Sequence, residues 1–458
     1  MALDNHHLLH ADRALLADGW ATNVIIAVDS GGRIASISHG EAPAGASRLA
    51  GPVVPAMANL HSHAFQRAMA GLTSIAAGGD DSFWTWREEM YRLVGRLTPE
   101  DVSAIAAKLQ VELLKGGFGR VAEFHYLHHG ADGRPYSDPA EMSLAVLRAA
   151  EQSGIGLTLL PVFYAHSDFG GVAPTAGQRR FIHDVDSFLT LLHRLVGPCR
   201  LAGVRLGLAF HSLRAATGDE IAAVMRTVPG HAPVHIHIAE QQREVEASIA
   251  HSGRRPVERL HDLVELDERW CLVHATHVTP TEIAMITGVN AVAGLCPTTE
   301  ADLGDGIFPG SDFLAAHGRF GIGTDSHVGT SVAGELRLLE YGQRLRDRRR
   351  NRLATGPGAS VGRTIFSGAL AGGARACGVS QRGLSVGARA DLVVLDGSSP
   401  YLVEAKGDAI LDRWIFGDIG PVVRDVMVAG RFVIEKGRHA RDEEIDRAFA
   451  AALVRLAA

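Results

Sequence analysis

The feature that most constrains this chain is an alternation running through its middle: short apolar runs separated by longer segments with helical spacing. Eight runs can be delimited, VVPAMANL (53–60), RVAEFHYL (120–127), IGLTLLPVF (155–163), VRLGLAFHS (204–212), PVHIHIA (233–239), WCLVHATH (270–277), AVAGLCP (291–297) and RFGIGTD (319–325). Segments such as PEDVSAIAAKLQVELLKGG and GDEIAAVMRTVP lie between them. Eight strands with intervening helices is the count of a (β/α)8 barrel, an α/β fold of roughly 250 residues. The chain has 458 residues, of which 46% are hydrophobic, enough for a barrel and a second unit.

The second unit is expected from the two ends. ATNVIIAVDSGGRIASIS reads as two strands around an Asp-Ser-Gly-Gly turn, and VVRDVMVAGRFVIEKG as two more around Ala-Gly. The economical arrangement is a small β-sandwich domain built from residues 1–54 and 381–458, enclosing a barrel over 55–380. A final helix, about Asp442 to Leu456, is assigned to the carboxy-terminal part.

The polar residues of interest collect at the carboxyl ends of the strands, the face that carries the active site in such a barrel. His61 and His63 alternate, so they share one side of the first strand. His235 and His237 do the same on the fifth, and Glu240 follows three residues after His237. His274 ends the sixth and Asp325 the eighth. A single histidine there is an ordinary rim residue, and a single Asp before Ser an ordinary helix cap. Their joint occurrence points to a metal site. Imidazole and carboxylate suit zinc, with iron or nickel chemically admissible. The chain has four lysines, Lys108, Lys115, Lys406 and Lys436, none at the end of the third to fifth strands, where a carboxylated lysine bridges two ions. One metal is therefore expected.

These residues resemble the amidohydrolase superfamily, specifically its mononuclear deaminase branch, over nearly the whole chain. The resemblance implies His61, His63, His237 and Asp325 as metal ligands, Glu240 as the proton shuttle, and His274, with Asp325, as the groups that contact the nucleophilic water. Longer stretches are more specific: NLHSHAFQRAMAGLT, FWTWREEMYRL, AEFHYLHH, GLAFHSLRA, HIHIAEQ and LCPTTEADLGDGIFP. They are similar to the deiminases acting on N-formimino-L-glutamate in histidine degradation. Hydrolysis to N-formyl-L-glutamate and ammonia is the activity this implies. It also implies substrate contacts from Gln66, Arg87, Tyr126, His211 and Arg214, and a homodimer. Arginine forks and amide or hydroxyl donors are what a dicarboxylate substrate needs. One departure is Asp168, an unexpected charge in the glycine-containing 164–180 loop.

Two other readings stay open on the residues alone: an amidohydrolase acting on guanine or another aminated heterocycle, and a metal-free barrel serving as a scaffold. The net charge of −6 argues against nucleic acid and anionic membrane surfaces. No run reaches about 18 apolar residues, no leader-like segment opens the chain, and the four cysteines are scattered. A cytoplasmic enzyme is expected.

Overall fold

The computed structural model describes residues 7–74, 83–380 and 383–457, so the first six residues of the amino-terminal segment lie outside it. Eight parallel strands form one sheet in sequence order: β1 (Met57–Ser62), β2 (Phe118–His125), β3 (Gly156–Phe163), β4 (Leu208–Phe210), β5 (Val234–Ile238), β6 (Trp270–His274), β7 (Val292–Leu295) and β8 (Arg319–Ile322). Seven of the eight are buried along their whole length and β8 exposes only Arg319, which is why they read as continuous apolar runs and not as alternating ones.

The barrel closes between β8 and β1. Thr324 and Asp325 donate their backbone N–H groups to His61 O at 3.2 and 3.1 Å, and His63 N donates to Asp325 O at 3.1 Å. A side chain at Gly323 would bring a Cβ within 2.8 Å of His61 Cβ, so only glycine permits this seam. Helices cover the outside. Thr98, Thr217 and Thr279 each form a capping box with an acid three residues on, Asp101, Glu220 and Glu282.

Two runs expected as single strands are interrupted. VVPAMANL divides at Ala56. Val53–Pro55 pairs antiparallel with Leu392–Leu395 in the second sheet, and only from Met57 does the chain enter the barrel. Pro55 has no N–H with which to continue the outer ladder, and the chain crosses between sheets there. VRLGLAFHS divides at Gly207, where a Cβ would lie 2.6 Å from Pro233 O on the neighbouring strand.

Both chain ends enter one continuous nine-stranded sheet. Val53–Pro55 is its hinge, pairing with His7–Leu16 on one side and Leu392–Leu395 on the other. Leu9, Val24, Ile26, Leu392, Val394 and Met427 form a core of their own beside that of the barrel. The terminal helix, Asp442–Ala457, departs from the expectation that groups it with this sheet. It lies on the barrel helix Pro99–Lys115, with Lys115 Nζ 2.7 Å from Asp442, Lys108 Nζ 2.6 Å from Asp446, and an Arg455–Asp101 ion pair. Its acidic residues find cations there. No helix among the described residues is long and apolar enough to cross a membrane.

Candidate active site

The strand ends at the barrel mouth have an unusual backbone. Ala239, His274, Ala275, Asp325 and His327 all adopt positive φ, between 47° and 68°. Left-handed conformations at non-glycine residues cost about 1–3 kcal/mol each and persist only where the surroundings over-determine them. Here they turn side chains inward over the end of the barrel.

Four groups converge at that point. His61 Nε2 lies 3.2 Å from His63 Nε2 and 3.0 Å from His237 Nε2. Asp325 Oδ1 lies 3.5 Å from His61 Nε2 and 3.3 Å from His63 Nε2. Atoms set tetrahedrally about 2.0–2.1 Å from one ion lie about 3.3–3.4 Å apart, a spacing that His61, His63 and Asp325 approach together and that His237 approaches through His61, so these donors suit a small cation. The protonation states fit as well. His63 Nδ1 faces Phe124 O at 2.9 Å, which places its proton there and leaves Nε2 as a lone pair. Burial pushes His61 down to about 3, and lowers His63 and His237 too, so all three are neutral, the form that binds metal. Burial alone would raise Asp325, but the hydrogen bond from His61 and the imidazoles of His63 and His274 outweigh it and keep the carboxylate charged. His235 shares the inner side of β5 with His237, but its Nε2 sits 2.8 Å from Ala376 O, away from this cluster.

His274 and Glu240 flank the cluster. His274 Nε2 is 3.7 Å from Asp325 Oδ2 and 3.8 Å from Glu240 Oε1. Burial disfavours its charge, yet Glu240, Glu300 and Asp325 together raise it to about 10. Burial pushes Glu240 up to about 7, with Asp325 and Glu244 adding and His274 and Arg214 opposing. Carboxyls near the working pH are the ones suited to proton transfer.

Sequence reasoning missed the groups that aim these two. Glu300 Oε1 lies 3.3 Å from His274 Nδ1 and accepts from Cys296 N at 2.8 Å. Glu244 accepts the N–H groups of Ala239 and Glu240 at 3.2 and 3.1 Å, fixing the turn that carries Glu240. Both carboxylates lie within quoted or adjoining stretches, four residues after a strand-end position, and that spacing was their only signal.

A pocket opens beside the cluster. Gln66, Arg87, Tyr126, His211 and Arg214 all line it, together with Tyr91, Tyr164, Phe181 and Trp86. Gln66 Nε2 donates to Tyr126 Oη at 2.8 Å, while Gln66 Oε1 has no partner. His211 packs edge-on against His237, ring centroids 5.0 Å apart, and tilts against Tyr164 at 4.5 Å. The Nε atoms of Arg87 and Arg214 are buried without a hydrogen-bond partner, and among the described residues neither guanidinium pairs with a carboxylate. An aromatic ring holds them instead. Trp84 lies 4.5 Å from the guanidinium of Arg87, 5.8 Å from that of Arg214 and 4.5 Å from that of Arg243. Arg87, Tyr91 and Trp84 share one face of the helix Phe83–Val94 at i, i+3 and i+7 spacing. The unexpected Asp168 is local: its carboxylate accepts from Phe169 N at 2.8 Å, and Phe169 stacks on His251 at 5.8 Å.

Residues 53–433 match the amidohydrolase family, and residues 6–51 match the N-terminal domain of formimidoylglutamate deiminase HutF. The formimidoylglutamate deiminase of Pseudomonas aeruginosa is 57% identical over 441 residues, covering 96% of this chain and 97% of that protein. The crystal structure of an amidohydrolase from Brucella melitensis superposes with a TM-score of 0.95 at 50% identity, covering 99% of this chain and 100% of that one. An adenosine deaminase from Xanthomonas campestris, solved with bound zinc, shares the fold with a TM-score of 0.82 at 20% identity over 98% of each chain.

Proposed function

The chain belongs to the amidohydrolase family and, within it, to the formimidoylglutamate deiminases, and from that premise we propose how its residues divide the work. It hydrolyses N-formimino-L-glutamate to N-formyl-L-glutamate and ammonia, a step of histidine degradation. We assign His61, His63, His237 and Asp325 to holding one zinc ion. A bound ion of this kind supplies Lewis acidity, bringing the pKa of water toward ~7.

The chain's own groups do the rest. Asp325 and His274 orient the water, and the Asp325 carboxylate takes up its proton as it attacks the formimino carbon. The tetrahedral carbon then carries two nitrogens. Glu240 delivers a proton to the terminal one, so ammonia leaves and the amino-acid nitrogen stays attached to the formyl product. His211 holds the formimino end, and its depressed pKa, from burial first and then from Arg214, keeps it neutral beside that cation. Arg87 and Arg214 take the carboxylates, with Gln66 and Tyr126 supplying further donors. The observation that carries this reading is the convergence of three imidazole nitrogens and one carboxylate oxygen, within 3.0–3.5 Å along the four measured contacts, beside a cavity lined by two guanidiniums without carboxylate partners. An aminated heterocycle has no carboxylates to match them, and a scaffold has no need of the cluster.

The test is Glu240→Gln. Metal content by elemental analysis should be unchanged while kcat for ammonia release falls about 10²–10⁴-fold, the usual worth of general acid–base catalysis. A kcat near wild type removes Glu240 from the shuttle role. Product analysis belongs with it: N-formyl-L-glutamate supports the stated bond cleavage, and formamide with glutamate means the other C–N bond breaks. We further place the enzyme in the cytoplasm as a homodimer, which sedimentation giving twice the chain mass would support.

A further inference from the structure

The opposite end of the barrel carries a second concentration of guanidiniums that the reaction does not use. A pocket there is lined by Arg33, Arg120, Arg205 and Arg389, with Asp391 as the one carboxylate among its described lining residues. Arg120 lies near the start of β2, Arg205 precedes β4, and Arg33 and Arg389 come from the two halves of the nine-stranded sheet. The site therefore sits where barrel and sheet meet.

Its construction is costly without a ligand. Arg33 and Arg389 face each other directly in an antiparallel bridge, a like-charge pairing that destabilises a sheet. Arg120 is only 6% exposed. Burial pushes its guanidinium down to about 10, with Arg389 and Arg205 adding to the effect. Arg205 Nε is buried with no hydrogen-bond partner among the described residues. Buried arginines are normally paired, and an orphaned donor requires an explanation. The single carboxylate is already engaged: Asp391 accepts from Arg389 Nε at 2.7 Å and from Ala429 N at 2.8 Å.

The other arginines are tethered by one edge only. Arg120 Nη1 donates to Leu157 O at 2.8 Å, Arg205 Nη2 to His231 O at 2.6 Å, and Arg33 Nη1 to Gly387 O at 2.9 Å. Two glycines make room for the heads. A Cβ on Gly156 would lie 2.5 Å from Arg389 Nη2, and one on Gly378 would lie 3.1 Å from Arg205 Nε. Tethered forks with free edges are the arrangement that takes a multiply charged oxyanion.

We propose that this cavity is an anion site, remote from the active-site mouth, that takes an oxyanion of the phosphate class between Arg33, Arg120, Arg205 and Arg389. Occupancy ties the barrel to the two-ended sheet and relieves the Arg33–Arg389 repulsion.

Calorimetric titration of inorganic phosphate into the metal-loaded enzyme, with sodium chloride holding ionic strength constant, tests this. One phosphate should bind per chain. Its affinity should fall at least tenfold in Arg205→Met, with kcat/KM for N-formimino-L-glutamate unchanged. Arg33→Met, on an exposed turn, gives the same readout should Arg205→Met fail to fold. The same titration of Arg214→Met separates the two ends of the barrel: phosphate binding should survive there. The proposal is overturned if phosphate up to about 10 mM, the range of a weak millimolar site, gives no heat beyond chloride. Binding that persists unchanged in Arg205→Met and Arg33→Met overturns it equally, as does binding lost only in Arg214→Met.

Discussion

The two sides of the active-site cavity are built on opposite plans. On the metal side, every group leaves a strand end, the backbone is locked in left-handed turns, and the second nitrogen of His63 and of His274 faces its own acceptor, Phe124 O and Glu300. On the carboxylate side, Arg87 rides on the helix Phe83–Val94 and Arg214 on the segment after β4, and aromatic faces hold them, neither forming an ion pair with a carboxylate among the described residues. The difference follows from what each side must do. Ligand atoms around an ion tolerate little displacement, and for His63 and His274 the remaining ring nitrogen is spent on fixing them. A guanidinium that must grip a carboxylate has to keep its N–H groups unspent, and a ring face steadies it without consuming them.

Removing one member from each side should therefore fail in different ways. Asp325→Ala is expected to have the largest effect: loss of bound metal by elemental analysis and a fall in kcat/KM on the order of 10³-fold or more, since a metal's charge stabilisation is worth several kcal/mol. Full metal content with full activity would sink the assignment of Asp325. Arg214→Met should leave metal content alone and lower kcat/KM for the dicarboxylate by about 10²-fold, in line with the 2–5 kcal/mol lost when one partner of a buried charge pair is truncated. If it lost metal instead, the two sides would not be independent.

The same contrast decides what the sequence could reveal. Strand periodicity put His61 with His63 on one side, and the count of eight put the first, fifth, sixth and eighth strand ends around one mouth, so spacing and barrel geometry pointed to a metal site there, while the resemblance named its ligands. The carboxylate side had no such rule. Arg87 in Trp-Arg-Glu-Glu is indistinguishable from an exposed helix with local ion pairs, and only the resemblance singled it out. Arg243, Glu244 and Glu300 were invisible because their roles depend on tertiary contacts: a ring supplied by another helix, the amides of a turn, and an imidazole from the preceding strand. The break at Ala56 was missed for a related reason. An apolar run reports burial, and burial is equal on both sides of a crossing between two sheets.

Glu300 tests how far the metal side extends. Glu300→Gln keeps the size of the side chain and removes the charge facing His274 Nδ1. We expect a loss of about 10–100-fold in kcat, the usual cost of an outer partner, with KM and metal content within twofold of wild type. An equal rise in KM would mean that Glu300 acts on substrate binding and belongs to the other plan.

The smallest effect should come from the ring that the arginines share. The Trp84 ring lies within 6 Å of three guanidinium carbons, those of Arg87, Arg214 and Arg243. Trp84→Leu keeps an apolar side chain there but removes the negative ring face, and cation–π contacts are worth about 0.5–2 kcal/mol. We expect KM to rise about three- to tenfold with kcat nearly unchanged, because the guanidiniums remain present but are less fixed. Arg243→Gln should reproduce a fraction of this, and its effect should shrink at high salt, since an exposed cation attracts a dianionic end mainly through screened charge. A drop in kcat with KM unchanged in Trp84→Leu would show that the ring positions the reacting carbon rather than the carboxylates. The separation of the cavity into a rigid chemical side and an adaptable binding side would then no longer hold.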